Sequence, residues 1–202
     1  MYSVIAKRLL TISIIVIGTV TILALYLPNL RPGSNRAEGV GSADIGGAFV
    51  LRDHTGADVS EDILLGQYSL VYFGFTYCPD ICPMTLQTVS DAIDMLPGRK
   101  SELVQTLFIS LDPARDTPNV MADYVGHFHP RMTGLTGSLE QVREAANAYR
   151  VFFQQQSRGE DGDYTVNHSG FLYLMNRSGR YIDHFSKDVT VEELAVRLRG
   201  LL

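Results

Sequence analysis

Apolar positions along this chain fall into two regimes. Leu9 to Leu27 is a continuous uncharged run of 19 residues. As a helix it would reach roughly 28 Å, close to the roughly 30 Å of a bilayer's hydrocarbon core. It is longer than the apolar part of a cleaved signal peptide, and the bulky Leu25-Tyr26-Leu27-Pro28 stands where a small-x-small cleavage site would be needed. The pattern predicts an uncleaved transmembrane anchor over 9–27 with residues 1–8 as its flank. Residues 28–42, rich in Gly, Ser and Asn, read as a tether, and 43–202 as one domain. Lys7 and Arg8 on one side nearly balance Arg31 and Arg36 on the other. The short amino-terminal flank before a long carboxy-terminal domain favours a single-pass protein with that domain outside the cytoplasm.

Within the domain the apolar residues come in short blocks. Phe49-Val50-Leu51 followed by Asp53-His54-Thr55-Gly56 predicts a strand and a turn. Ser69–Phe75 (SLVYFGF) and Val104–Ser110 (VQTLFIS) are too short for helices and read as buried strands. From Pro83, Leu86, Val89, Ile93 and Leu96 recur at helical spacing, and Pro97-Gly98 ends that helix. Thr117-Pro118 opens a second helix carrying Val120, Met121, Tyr124, Val125 and Phe128, stopped by Pro130. Met132–Leu135 reads as a short strand, and Ser138 to Gln141 as a capping box for a helix through Tyr149. Phe171–Met175 and Tyr181–Phe185 flank a hairpin turn, Asn176-Arg177-Ser178-Gly179, and Thr190 to Glu193 caps a final helix. Ser157 to Asp163 reads as a polar loop. Strand, helix, strand, helix, hairpin and closing helix predict an α/β sheet with helices on both faces. With two thiols after the first core strand, the order predicts a thioredoxin-like fold with an N-terminal extension and an inserted helix.

Charge narrows the function. From residue 40 on, 13 basic residues face 21 acidic ones, so the domain carries about −8 with no basic stretch. Nucleic acid is excluded as a partner on that ground.

The chemistry concentrates in one place. The two cysteines of the chain lie in Tyr77-Cys78-Pro79-Asp80-Ile81-Cys82-Pro83, directly after the first core strand. A disulfide across so short a loop gives little entropic stabilisation, and a domain of this length needs none. The spacing therefore points to redox chemistry or soft-metal binding. On a helix, residues four apart share a face with Cα atoms roughly 6 Å apart, within disulfide range and within reach of one metal. Two thiolates rarely complete a metal site. His54, His127, His129 and His184 have ordinary readings in a turn, at a helix end or along a strand. His168, in Tyr164-Thr165-Val166-Asn167-His168-Ser169-Gly170 just before a strand, approaches the corner that carries the thiols and is the best third donor on topology. Two thiolates and an imidazole suit Cu(I) and can hold Cu(II), whereas structural zinc wants a fourth ligand, for which Asp80, Asp112 or water are the local candidates.

Several motifs in order resemble the Sco/SenC family: Gly74-Phe75-Thr76-Tyr77 with Cys78-Pro79-Asp80-Ile81-Cys82-Pro83; Ser110-Leu111-Asp112-Pro113-Ala114-Arg115-Asp116-Thr117-Pro118; Phe128-His129-Pro130-Arg131 with Gly134-Leu135-Thr136-Gly137; and Tyr164 to Ser169. The match runs from about Gly46 to the carboxy terminus. The resemblance implies a membrane-anchored, thioredoxin-like metallochaperone that holds copper, as Cu(I) or Cu(II), through Cys78, Cys82 and His168. It implies assistance in assembling the binuclear copper centre of cytochrome c oxidase, with the copper-bearing oxidase subunit as partner and an upstream copper donor or thiol reductant behind it. The same sulfurs would serve a thiol–disulfide oxidoreductase through a redox-active Cys78–Cys82 disulfide, so both modes of action stay open. The family usually carries Asp directly before the histidine. Here Asn167 stands there, and Asn167 and Asp112 are the expected neighbours that tune the ligands.

Overall fold

The computed structural model describes residues 45–157 and 164–202. The proposed anchor and tether, and most of the polar loop at 157–163, lie outside the described residues. The chain divides into two units, Met1–Ser42 and Ala43–Leu202, and the second is described below. Among the described residues no helix is long and apolar enough to cross a membrane.

The elements are β1 (Val50–Asp53), β2 (Asp58–Ser60), β3 (Tyr68–Gly74), α1 (Ile81–Asp94), β4 (Val104–Ser110), α2 (Pro118–Val125), β5 (Met132–Thr136), α3 (Leu139–Ala148), β6 (Phe153–Ser157), β7 (Tyr164–His168), β8 (Leu172–Met175), β9 (Tyr181–Phe185) and α4 (Val191–Arg199). Seven strands form one sheet in the order β2-β1-β5-β4-β3-β8-β9. β3, β4 and β5 are parallel, and β8 runs antiparallel to β3. The inner strand β3 is buried from Ser69 through Gly74, which explains its unbroken apolar run. Its side chains alternate between two layers. Tyr72 stacks with Phe108, which meets Tyr124 of α2, whereas Phe73 turns the other way onto Tyr149 behind α3. Helices therefore cover both faces of a thioredoxin-like sheet.

Local chemistry placed most boundaries. Ser138 with Gln141 and Thr190 with Glu193 form reciprocal capping boxes, and the Thr117 hydroxyl accepts from the Val120 amide. Two boundaries differ from the sequence expectation. Helix α1 starts at Ile81 rather than Pro83, because a proline within the first turn lacks only an N–H that has no helical partner there. Helix α2 stops at Val125, with Gly126 as its cap, and Phe128 lies beyond it. Several elements went unread: β2, the 3-10 turns Glu61–Leu64 and Gly98–Leu103, and a separate two-stranded antiparallel ribbon of β6 and β7. That ribbon brings His168 to the sheet.

Candidate metal centre

The Cys segment leaves β3 at Gly74 and enters α1 at Ile81. Cys78 lies in the connecting turn and is half-buried; Cys82 is the second residue of α1 and is fully buried. The thiols therefore do not sit on one helical face, as four-residue spacing alone suggests. Instead the turn folds Cys78 back over the helix start. Asp80 is the N-cap residue but provides no side-chain cap. The Cys78 sulfur takes that place, accepting the Cys82 amide at 3.5 Å. Gly74 makes the approach possible: a Cβ there would stand 2.7 Å from Cys82 Sγ and 2.9 Å from Phe108.

The two sulfurs are free and electrostatically unequal. The Cys82 thiol, helped by His168 and the backbone amides of Cys82 and Asp80, holds the Cys78 thiol down at about 4 against its partial burial. An anion at the first turn of a helix meets unpaired N–H groups, which is how thiolates are stabilised in such corners. The Cys78 anion and full burial push Cys82 the other way, far above the ordinary thiol range. At neutral pH the pair is one thiolate and one thiol. Tyr72, buried beneath, donates its hydroxyl toward Cys82 Sγ at 3.9 Å.

His168 ends β7 with its ring edge-on to Phe75 and Tyr72. Its Nδ1 lies 2.9 Å from the Ser169 carbonyl oxygen, which can only accept, so Nδ1 carries the proton. In the neutral ring that leaves the Nε2 lone pair free, and Nε2 lies 3.8 Å from Cys82 Sγ. Metal bonds of about 2.3 Å to sulfur and 2.0–2.1 Å to imidazole, opened to about 120°, put their donors about 3.8 Å apart. Two sulfurs and this nitrogen form a soft, low-coordinate set that suits Cu(I). Cys82 Sγ thus has His168 Nε2 beside it; among the described residues no group of three or more His, Cys, Asp or Glu side chains is already drawn together to hold a metal ion.

The other expected neighbours fall elsewhere. Asn167 points away from the ring and is exposed, opposite Gln154 in the ribbon. Asp112 is buried, but its carboxylate binds Arg115 and accepts the Tyr164 hydroxyl at 2.7 Å, away from the sulfurs. His54 accepts the Gly134 amide, His127 lies 2.6 Å from the Asp123 carbonyl, His129 accepts the Arg131 amide, and His184 meets the Tyr181 hydroxyl. The histidine nearest the thiols is thus the one that topology singled out. Sequence reasoning missed Tyr72 as a sulfur neighbour and Arg115 as a bridge; the alternation along β3 marks the first, whereas the second needs the fold. A cleft of about 660 Å³ beside the ribbon, lined by Leu139, Arg143, Phe152 and Tyr164 among others, contains neither sulfur nor His168. The thiols sit at a corner rather than in that cleft.

A thioredoxin-like domain with a thiolate, a thiol and a facing imidazole at its first strand–helix corner defines a dithiol protein equipped for soft metals. The sequence profile described as SCO1/SenC matches residues 37–202, and the chain belongs to that family. It is 43% identical over 158 residues to Protein sco1 of Schizosaccharomyces pombe, covering 77% of this chain and 60% of that protein's length. Among solved structures, Arabidopsis thaliana ScoI with copper bound is 39% identical at a TM-score of 0.71, over 77% of this chain and 96% of the other. Bradyrhizobium japonicum ScoI with copper bound is 39% identical at a TM-score of 0.72, over 78% and 99%.

Proposed function

We propose that this chain is a membrane-anchored copper metallochaperone. It binds one copper ion through Cys78, Cys82 and His168, and it assists assembly of the binuclear copper centre of cytochrome c oxidase. The observation that carries this reading is the Nε2 of His168, 3.8 Å from a buried sulfur with its other nitrogen tied to a carbonyl. A histidine that served only the ribbon would have no need to present a lone pair to the dithiol. The copper-bound ScoI relatives support the choice of metal.

The unequal thiols give binding an order. Cys78, already anionic and half-exposed, meets the ion first. Cys82 then releases its proton as it ligates, and the imidazole closes the set. Transfer runs in reverse: thiolates of the copper-bearing oxidase subunit displace the ligands in turn, and Cys82 recovers a proton. Position at an open corner fits hand-over to a protein. The 9–27 run would hold the domain on the extracytoplasmic side. Carbonate-resistant membrane association with protease-accessible domain in spheroplasts is expected; a mature amino terminus within 30–43 would refute the anchor.

The decisive experiment is anaerobic Cu(I) binding to the reduced protein with X-ray absorption. One copper with two sulfurs and one imidazole is expected, and a set lacking sulfur would overturn the reading.

The thiol pair itself favours a second reading. The Cys78 thiolate can attack a disulfide of a target protein, giving a mixed disulfide. Cys82, on losing its proton, then displaces the target's remaining thiolate. The target gains two electrons, and this chain is left with a Cys78–Cys82 disulfide that binds no copper. This exchange needs neither His168 nor a metal. Full oxidase activity at low copper in a His168→Ala strain would select it over copper transfer.

A further inference from the structure

We infer that Arg115 is a positioning residue for the metal centre, holding the His168 ribbon at the correct distance from the Cys turn; this rests on the copper reading above. The Arg115 guanidinium lies between two tyrosine rings, 3.7 Å from the Tyr164 centroid and 4.5 Å from the Tyr77 centroid. Tyr77 immediately precedes Cys78. Tyr164 opens β7, the strand that His168 ends. Each ligand-bearing segment therefore rests one ring on the same cation.

The polar contacts fix the cation in this place. Arg115 Nε donates to Asp112 Oδ2, and Nη1 donates to the Tyr164 carbonyl at 3.2 Å. The Tyr164 hydroxyl donates to the other Asp112 oxygen at 2.7 Å, so this carboxylate is gripped from both sides. Next to it, the buried Asp116 carboxylate accepts the Thr76 amide at 3.1 Å, the Thr76 hydroxyl at 2.5 Å and the Ser110 hydroxyl at 2.6 Å. The loop after β4 is thus tied to the Cys turn through Asp116 and to the ribbon through Arg115 and Asp112.

The ribbon needs such a tie. β6 and β7 pair with each other and not with the seven-stranded sheet. A two-stranded ribbon is marginal by itself. Tyr164, Val166 and His168 alternate onto one face of β7, so a shift at Tyr164 carries along the strand to the imidazole. Arginine suits this position because its planar group donates to a carboxylate at its edge while its faces stack on rings, and the point charge of Lys cannot do both at once.

The test is a cycle of Cu(I) affinities for wild type, Arg115→Lys, His168→Ala and the double variant, each with its thermal midpoint. Arg115→Lys keeps the charge and should fold. It should lose affinity about tenfold, the lower end of what partners behind a metal ligand contribute. X-ray absorption should retain two sulfurs and show a weakened imidazole. In the His168→Ala background the same change should have no further effect, because the ligand it positions is gone. Equal losses in both backgrounds would show that Arg115 acts only on general structure and would overturn the inference. Wild-type affinity in Arg115→Lys would do the same. If His168→Ala itself lost nothing, the copper set would fail first, a separate result from failure of the clamp.

Discussion

The sulfur half and the imidazole half of this site are built at different depths in the molecule. Cys82 belongs to α1, which packs on α4 and on a strand hydrogen-bonded on both sides, and its sulfur touches Gly74 and Tyr72 in the core. His168 hangs on a ribbon whose outer strand is exposed from Gln154 to Ser157 and which is secured by side chains rather than by the sheet. One half cannot move without disturbing close packing on every side, whereas the other is anchored to the core mainly on one face, by Val166, Tyr164 and the His168 ring, and is open on the other. Under the proposed copper transfer the division would be useful. The imidazole would be the ligand that leaves at least cost, turning a three-donor site into a two-sulfur site that a partner's thiolates can attack.

The hierarchy breaks most visibly at the sulfurs. If the roughly 10–16 kcal/mol of a four-donor metal site is shared evenly, one donor is worth about 2.5–4 kcal/mol, or about a hundred- to a thousandfold. Cys78→Ser and Cys82→Ser should each weaken Cu(I) binding by about that factor in competition with a chromophoric chelator. Wild-type affinity in either variant would remove the dithiol from the site. His168→Ala should cost less, about a hundredfold at most, since the imidazole must be held in place by a weakly anchored arm. A loss equal to that of the cysteine variants would show both halves to be equally rigid.

The same contrast explains what was legible in the sequence. The core half was readable because burial imprints itself on composition: SLVYFGF and VQTLFIS are strands by length and apolarity, and both capping boxes fell where their residues required. The start of α1 was misplaced by two residues because Pro83 is an equally good first-turn residue from either boundary. The ribbon escaped reading because three of its outer residues are glutamines, which carry no period. Tyr164-Thr165-Val166 was the available signal, a short run of strand formers before the histidine. His168 was chosen by topology, but its tautomer depends on how the backbone turns at Ser169, and the bridge through Arg115 on contacts between residues dozens of positions apart.

Stability should show the contrast without any metal. Gly74→Ala drives a methyl group into Cys82 Sγ and the Phe108 ring, neither of which can retreat. Overpacking of this kind costs about 1–3 kcal/mol. Gln155→Ala, on the exposed ribbon strand, should stay within about 0.5 kcal/mol. Denaturant midpoints of the two variants test this directly, and similar losses would mean that the ribbon is as much a part of the core as β3.

The smallest expected effect is a slope. Cys78 is held at about 4, while Cys82 is pushed far upward by that anion and by burial. Between about pH 5 and 8 the first thiol has therefore already lost its proton and the second has not. Copper must displace one thiol proton, so affinity should rise about tenfold per pH unit as acid is withdrawn. The His168→Ala variant isolates this contribution by removing the imidazole. Its affinity, measured against a pH-corrected Cu(I) buffer, should change with a slope near one over that range. It should steepen toward two in more acidic solution, where Cys78 also takes up a proton. A slope of two across neutral pH would show both thiols protonated there. The helix start would then have failed to stabilise the Cys78 anion, and the order of ligation, thiolate first and buried thiol second, would fall with it.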